Sequence, residues 1–391
     1  MNLLSTIHAK ANDHFEEIRG IRRHLHTHPE LSYQEHETSA FVAEKLRSWG
    51  IEVQTGVADT GLVALIKGQN PDSEVKALRA DMDALPIQEE NEVEYKSQNP
   101  GVMHACGHDV HTSSLLGAAK ILHETREHWQ GTRKLIFQPG EEKLPGGASL
   151  MIKDGVLENP APQSIIGQHV YPDLPVGKIG IKSGMYMASA DEIYIILTGK
   201  GGHAAIPHKN IDTVLMASHL IVALQQVVSR NTRPEVPCVL SFGKVNAPGA
   251  TNVIPTNVFI EGTFRTFDEN WRMEAHDRIR QICKSVAESM GGSVDCDIRV
   301  GYPFLVNDPE VTAKAHAKAT AYVGSENVED LGLRMTAEDF AYYSQQIPGC
   351  FYRLGTSSTD GSNQYGLHHP KFNVDEESLK IGMGLMAWMG V

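Results

Sequence analysis

The sequence predicts an α/β protein built from one α/β domain and a second domain inserted into it. Segments with helical and strand periodicity alternate over residues 1–185, as expected for a sheet covered by helices. Residues 191–300 contain a complete strand–helix–strand–strand–helix–strand order, which is typical of a ferredoxin-like (βαββαβ) domain. The first arrangement then resumes. We therefore expect one discontinuous domain, 1–185 and 301–391, and an inserted domain, 186–300.

The individual elements follow from periodicity and from the positions of Gly and Pro. The first domain is predicted to contain helices 5–26, 35–49 and 112–129 and strands 51–55, 62–67, 75–80, 134–137 and 164–167. The insertion is predicted to contain strands 192–198, 239–246, 258–266 and 293–300 and helices 212–230 and 269–290. The chain is completed by helices 309–323 and 337–346, a strand at 351–354 and a helix that starts at Asp375.

The composition is that of a globular protein, with 41% hydrophobic and 21% charged residues among 391. A formal charge of -13 disfavours nucleic acids and anionic membranes as partners. No apolar stretch reaches the length of a signal peptide or a membrane span. The five cysteines stand at scattered spacings, unlike a disulfide framework. The sequence therefore predicts a cytoplasmic protein.

Polar residues follow three of the predicted strands. These residues are Asp81 and Asp83, then Glu141 and Glu142, and then His169. In open α/β sheets, functional sites form at the carboxyl ends of the strands. The spacing therefore favours one functional cleft over charges scattered on the surface.

Residues 104–111 read His-Ala-Cys-Gly-His-Asp-Val-His and lead into a predicted helix. Cys106 and His108 are two positions apart, so in an extended loop both side chains can point to one side and bind one metal ion. Taken alone, the stretch is equally typical of a surface loop that contains histidines. We expect His104 and His111 to support the loop rather than to bind metal.

Residues elsewhere in the chain could complete such a site. Glu141 and Glu142 follow a Pro-Gly turn, so one carboxylate can bind metal while the other faces the substrate water. His169 follows a strand and His368 lies in a rigid turn, and each of these signals is weak by itself. A metal pair with a shared bridging group becomes possible when the candidates are combined. The combined set is Cys106, His108, Glu142, His169 and His368.

Seven short segments together resemble one known family. The chain is similar to the M20 metallopeptidase and aminoacylase family, and within it to the branch of hippurate hydrolases and indole-acetyl-amino-acid hydrolases. The segments stand in the family's order and span nearly the whole chain. They are Arg79–Pro86, Met103–His111, Gln138–Glu142, Gly199–His203, Asn252–Pro255, Gly262–Arg265 and Leu367–Pro370.

The resemblance implies a zinc-peptidase-like α/β catalytic domain with an inserted satellite domain and two divalent metal ions. Zinc or manganese is expected, and nickel or cobalt also suits the ligand types. Glu141 is then the general base, which deprotonates the metal-held water and later passes the proton to the leaving amine. The metal ligands implied by the resemblance are Cys106, His108, Glu142, His169 and His368.

Two positions depart from a simple reading of the family pattern. Many members have His-x-Asp where this chain has Asp81 and Asp83, so we expect His108 to take the role of that imidazole, with Asp83 supporting it. At the other position, His368 and His369 are adjacent. We choose His368, because the branch pattern is Leu-His-x-Pro.

The resemblance also gives the inserted domain a role. His203 follows a glycine-rich stretch and is implied to be an oxyanion donor that reaches the partner's active site in a homodimer formed through the satellite domain. Arg265 could bind a substrate carboxylate with two hydrogen bonds, and Asn252 could add another.

We therefore expect a metal-dependent amidohydrolase that cleaves small-molecule N-acyl-L-amino acids, with N-acetyl, N-benzoyl or similar acyl groups, to a carboxylic acid and a free amino acid. A carboxypeptidase or dipeptidase of the same family is the first alternative. A metal- or peptide-binding protein without catalysis is the second, and the presence of both Glu141 and a full ligand set disfavours it.

Overall fold

The computed structural model describes residues 2–358, 360–361 and 363–391. These residues form two compact units. Unit 1 comprises Met1–Tyr186, Val306–Leu333 and Asp339–Val391, and unit 2 comprises Met187–Leu305 and Arg334–Glu338. The predicted α/β class is confirmed. No helix in the described part of the chain is long and apolar enough to cross a membrane.

Helices and strands alternate through most of the chain. The helices are α1 (Leu3–Asp13), α2 (Phe15–Thr27), α3 (His36–Ser48), α4 (His108–Glu124), α5 (Gly147–Lys153), α6 (Thr213–Leu224), α7 (Glu269–Ser289), α8 (Pro309–Val323), α9 (Ala341–Ser344) and α10 (Ser378–Gly390). The strands are β1 (Glu52–Val57), β2 (Gly61–Lys67), β3 (Val75–Asp81), β4 (Thr132–Gln138), β5 (Ser164–Pro175), β6 (Ile179–Ile181), β7 (Gly184–Met187), β8 (Asp191–Thr198), β9 (Gly202–His203), β10 (Cys238–Asn246), β11 (Val253–Ile254), β12 (Asn257–Thr266), β13 (Ser293–Val300), β14 (Leu305–Asn307), β15 (Val328–Asp330) and β16 (Gly349–Ser357).

The main sheet of unit 1 has the strand order β1-β2-β4-β3-β5-β16-β6-β15. Its central strands β4, β3, β5 and β16 are parallel to their neighbours in this group. The last residues of β3 and β4, Asp81 and Gln138, are partners in the ladder. The segments that follow these two strands therefore start side by side at one edge of the sheet.

Helix α4 is the central helix of unit 1. It packs against β3 and against α2 and α10, and both its apolar and its small polar residues are buried. Gly117 allows close contact with α10, because a Cβ atom there would lie 2.7 Å from Cβ of Met383. A helix buried on all sides holds its first turn firmly, and that turn contains His108.

Unit 2 contains an antiparallel sheet with the order β10-β12-β8-β13. Its elements follow the order strand, helix, strand, strand, helix, strand, from β8 through α6, β10, β12 and α7 to β13. Strand β8 alternates buried and more exposed residues, and Ile193, Ile195 and Leu197 pack into the core of the unit.

Several elements differ from the predictions, among them α4, which begins at His108 and not at Thr112, and α6, which ends at Leu224. The predicted helix 5–26 is two helices, since α1 ends at Asp13 and α2 begins at Phe15. The predicted helix 337–346 is only the short α9. Strand β5 does not end before His169 but continues to Pro175, because its parallel partner β16 extends as far as Ser357.

A buried ion cluster stabilises unit 2. The Asp191 carboxylate accepts hydrogen bonds from Nε and Nη2 of Arg272 at 2.9 and 2.5 Å and from Nε2 of His276 at 2.7 Å. Burial would raise the pKa of Asp191, but the hydrogen bonds from His276 and Arg272 lower it below its ordinary value.

We expect Asp191→Ala to lower the free energy of unfolding by about 3–5 kcal/mol, because it removes the buried carboxylate partner of Arg272 and His276 and leaves the guanidinium only the partly exposed carboxylate of Glu269. The difference should be complete above about pH 4 and should shrink as the pH falls further, because the lowered pKa of Asp191 stabilises the folded state only where the carboxyl is ionised. Urea denaturation at several pH values measures both effects. Asp277→Ala, at a side chain that is 83% exposed, is the control and should leave the midpoint unchanged.

Candidate metal centre at the carboxyl ends of β3 and β4

The carboxylate of Asp83 organises the segments that follow β3 and β4. It accepts the backbone N–H groups of Glu141 and Glu142, each at 3.0 Å. It also accepts the hydroxyl of Ser32 at 2.7 Å and lies 3.2 Å from Nδ1 of His108. Burial would raise the pKa of Asp83, but the interactions with His108 and Ser32 hold it below its ordinary value. An ionised Asp83 thus places a proton on Nδ1 of His108, so that Nε2 is the ring nitrogen that can bind a metal ion.

Cys106 and His108 are joined by a turn rather than by the expected extended loop. Gly107 has a φ of 81°, which is left-handed, and His108 is the first residue of α4. A Cβ atom on Gly107 would lie 2.5 Å from Cγ2 of Val170, so a larger residue does not fit. The turn nevertheless brings the two ligand atoms to one side.

The predicted ligands meet in two groups of three. In each group, the ligand atoms all lie within 4.8 Å of one another, and Cys106 belongs to both. The first group is Cys106, His108 and His169, and the second is Cys106, Glu142 and His368. Sγ of Cys106 lies 3.6 Å from Nε2 of His169, and Nε2 of His368 lies 3.3 Å from Oε1 of Glu142. A thiolate shared between two cations is compatible with this arrangement.

Two buried atoms at this site make no hydrogen bond to any described residue: Nε2 of His108 and Oε1 of Glu142, which are 3.9 Å apart. Burial and the neighbouring carboxylates of Glu142 and Glu141 raise the pKa of Cys106 well above its ordinary value. A thiolate in this position requires a nearby positive charge. The two ligand atoms without hydrogen bonds and the negative charge around them therefore fit divalent cations.

The pKa values of His108 and His169 agree with a site for divalent cations. Burial would lower the pKa of His108, but Asp81 and Asp83 raise it to about 10. Without a cation, Nε2 of His108 therefore carries a second proton, which a bound cation would displace. For His169, burial and the charge of Arg353 lower the pKa, so its imidazole is neutral. Nδ1 of His169 donates to the carbonyl of Val170 at 2.8 Å, which leaves Nε2 as an electron-pair donor.

His111 and His104 differ from these candidate ligands. Nδ1 of His111 donates to Asp81 at 2.6 Å, and its Nε2 accepts the N–H of Val170 at 2.9 Å. Both nitrogens of His111 are therefore engaged. His104 is buried, and burial lowers its pKa to about 4, so it is neutral. The ring nitrogens of His104 make no hydrogen bond to a described residue, but His104 belongs to none of the ligand groups found among the described residues.

The two adjacent histidines near the end of the chain differ in their contacts. His368 has a φ of 65° and donates its N–H to the carbonyl of Ala105 at 2.8 Å, which directs its ring toward Glu142. Nδ1 of His369 accepts the N–H of Lys371 at 3.0 Å, and its ring stacks on Tyr365. The structure thus places His368, not His369, with the other candidate ligands.

The sequence profile of peptidase family M20/M25/M40 matches residues 77–389. The chain belongs to this family. The resemblance found in the sequence is therefore confirmed.

Similar proteins carry several names within the family. An N-acetyl-L-cysteine deacetylase of Bacillus subtilis is 41% identical over 93% of this chain and 85% of its own length. An IAA-amino acid hydrolase ILR1-like 4 of Arabidopsis thaliana is 42% identical over 97% and 86%. Thermostable carboxypeptidase 2 of Saccharolobus solfataricus is 40% identical over 93% and 91%.

A crystal structure from the M20 family has the same fold. It is the YXEP protein of Bacillus subtilis, described as a dinuclear metal-binding peptidase. It is 35% identical, with a TM-score of 0.81 over 97% of this chain and 98% of its own.

The three predicted residues of unit 2 lie on its strands and loops. His203 is in β9, opposite Val253 of β11. The backbone carbonyl of Asn252 accepts a hydrogen bond from the N–H of Ala204 at 3.0 Å. His203 and Asn252 are thus close neighbours. Arg265 is in β12, and its buried Nη1 makes no hydrogen bond to a described residue.

The sequence did not indicate several residues that hold the loop with the two glutamates. Glu35 accepts the N–H of Gly140 at 2.8 Å, and the hydroxyl of Tyr33 donates to the carbonyl of Lys143 at 2.6 Å. A Cβ atom on Gly140 would lie 2.2 Å from the Tyr33 ring. The Pro-Gly turn before the glutamates was the only signal for this tight packing.

We expect wild-type protein to bind about two divalent ions per chain and Cys106→Ala to bind fewer than one, because the thiolate belongs to both ligand groups. Metal analysis by mass spectrometry after gel filtration measures the content. Cys238→Ala, a half-buried cysteine of unit 2, is the matched control and should keep the wild-type content. An unchanged metal content in Cys106→Ala would contradict the assignment.

Proposed function

We propose that the protein is a metal-dependent amidohydrolase that cleaves N-acyl-L-amino acids to a carboxylic acid and a free amino acid. The observation that carries this proposal is the placement of Glu141 and Glu142, whose successive N–H groups bind the same carboxylate. Glu142 belongs to the ligand group with Cys106 and His368. Glu141 and Glu142 also form a group with His108 in which the possible ligand atoms lie close together. The names of the deacetylase and IAA-amino acid hydrolase relatives support the same chemistry.

Amide hydrolysis needs an activated water, a stabilised oxyanion and a proton for the leaving nitrogen. Two divalent ions, held by the five ligands proposed above, would polarise the carbonyl and lower the pKa of water toward ~7. Glu141 takes the proton of the attacking water and returns it to the departing nitrogen. General acid–base catalysis of this kind contributes roughly 10²–10⁴-fold.

Unit 2 would supply the remaining groups. His203 is proposed to stabilise the oxyanion. Arg265 and Asn252 are proposed to bind the α-carboxylate of the amino-acid part. The buried Nη1 of Arg265 supports this role, because a guanidinium N–H without an acceptor is costly unless a ligand provides one.

The identity of the metal and the assembly are also proposals. A thiolate ligand would favour zinc, and the imidazole and carboxylate ligands are compatible with manganese, nickel or cobalt. We propose a homodimer formed through the satellite domain, residues 186–300, with residues 1–185 and 301–391 as the catalytic domain. Two features support the dimer: β10 is an edge strand, and α6 exposes Val214, Leu215 and Val222 at 40, 50 and 73%.

The free cysteines agree with a cytoplasmic location.

A carboxypeptidase or dipeptidase activity is the second candidate, and the similarity to a thermostable carboxypeptidase favours it. The same site would then act on a peptide bond beside a free carboxylate. Turnover of N-acetyl, N-benzoyl and longer N-acyl amino acids should be compared with turnover of unblocked dipeptides. Faster release of amino acids from the dipeptides would decide for the second candidate.

We expect Glu141→Gln to keep both metal ions and to lose at least about 10²-fold in kcat, because the amide cannot accept the proton. Steady-state kinetics on N-acyl amino acids and metal analysis test the two parts separately. Glu90→Gln, outside the ligand groups, is the control. An active Glu141→Gln variant would remove Glu141 from its role as the base.

We expect His203→Ala to lower kcat by about 10²–10³-fold at unchanged metal content, because oxyanion donors contribute this much in related chemistry. His208→Ala is a matched control on the same loop, where the side chain is exposed. Wild-type turnover in His203→Ala would show that His203 takes no part in catalysis.

A further inference from the structure

A network of buried polar side chains lies behind the glutamate loop, and Asp339 is at its centre. Asp339 is fully buried, with an exposed fraction of 0%. One carboxylate oxygen accepts Nη2 of Arg79 at 2.7 Å and Nε2 of Gln138 at 2.8 Å. The other accepts the same amide at 2.8 Å and the N–H of Ala148 at 2.9 Å. One carboxylate thus receives donors from three separate segments.

Those segments enclose the loop that carries the two glutamates. Gln138 is the last residue of β4 and comes directly before the loop, whereas Ala148 lies in the first turn of α5, directly after it. Arg79 binds Gln138 and Asp81 as well, at 2.8 and 2.7 Å, so the network reaches β3. Asp339 therefore holds both ends of the glutamate loop at once.

The main chain of Asp339 also contacts Glu141 itself. Its N–H lies 3.4 Å from Oε1 of Glu141. A carboxylate with one oxygen directed toward a fixed N–H has a restricted orientation, which a general base needs in order to meet its proton in the correct geometry.

We infer that Asp339 is a positioning residue for Glu141: its side chain fixes both ends of the loop and thereby aligns its own N–H with the carboxylate of the base. The inference rests on the proposed function, since it assigns a purpose to the orientation of Glu141. Asp339 acts through Glu141 and not on the substrate. Its loss should therefore lower kcat without lowering metal content or substrate affinity.

The test compares Asp339→Ala and Asp339→Asn with the wild type on the best N-acyl amino acid of the panel. For Asp339→Ala we expect a loss of about 10²-fold in kcat, the size of effect that a 1 Å misplacement produces. KM should stay within about threefold of wild type, since Asp339 does not hold the substrate. Metal content should equal that of the wild type.

A double variant distinguishes positioning from a general loss of structure. In Asp339→Asn, the new NH₂ group faces Nε2 of Gln138 and also either Nη2 of Arg79 or the N–H of Ala148, and the substitution of Gln138 relieves the first of these conflicts. Adding Gln138→Glu restores a carboxylate that can accept from both Arg79 and the new amide. We expect the double variant to regain at least about tenfold in kcat over Asp339→Asn alone. Glu376→Gln, which loses a partly buried partner of Arg22 and Arg23, is the control for destabilisation alone and should keep the wild-type kcat.

Four results would overturn the inference. They are a wild-type kcat in Asp339→Ala, a loss of kcat that parallels a loss of metal, a comparable loss in Glu376→Gln, and a double variant no faster than Asp339→Asn. If Asp339→Ala fails to fold, the comparison of Asp339→Asn with the double variant still decides.

An active wild type with an inactive Glu141→Gln and a fully active Asp339→Ala rejects the positioning role alone. A wild type that hydrolyses nothing in the panel rejects the proposed function and this inference with it.

Discussion

The carboxylate of Asp83 receives the N–H groups of Glu141 and Glu142 and the hydroxyl of Ser32, and it lies beside Nδ1 of His108. An ionised carboxylate offers about four acceptor positions, so these partners use its full capacity. A fully satisfied buried network is rigid. Asp83 thus holds the backbone of both glutamates, whose carboxylates belong to a ligand group with His108. The orientation of a proposed ligand, of the proposed base and of His108 thus depends on one side chain.

The site combines this rigidity with an excess of negative charge. Asp81, Asp83 and the two glutamates lie close together, and the imidazole of His108 is held in its charged form by the aspartates. Arg79 offsets part of the charge through Asp81 and Asp339. Bound cations would supply the rest. A protein that binds metal in this way exchanges protons for cations, and the affinity then rises with pH.

Much of this arrangement is visible in the sequence, and the remainder depends on tertiary contacts. Helix α8 has the predicted limits because Asp308 caps it and Pro309 fits its first turn. The residues after β3 and β4 were expected to meet, and they do. The turn at Gly107 was not expected. The close approach that leaves no room for a Cβ atom at Gly107 comes from Val170, which is far away in the chain. The contacts of Asp339 were hidden for the same reason, because its partner Arg79 is 260 positions away. An acidic residue before a short helix favours the helix end, and the family resemblance allowed Asp339 a supporting role without naming its partners.

The order of the proposed ligands along the chain has a consequence for biosynthesis. Cys106 and His108 are made early, whereas His368 follows the whole of unit 2 and nearly all of the rest of unit 1. A nascent chain on the ribosome can therefore offer one ligand group, Cys106, His108 and His169, long before the other can form. Tight binding of the second ion would have to wait until translation has passed residue 368 and the last part of unit 1 has folded. Occupancy of that second position would then mark a chain that has finished folding, and metal supply would favour finished molecules over incomplete ones.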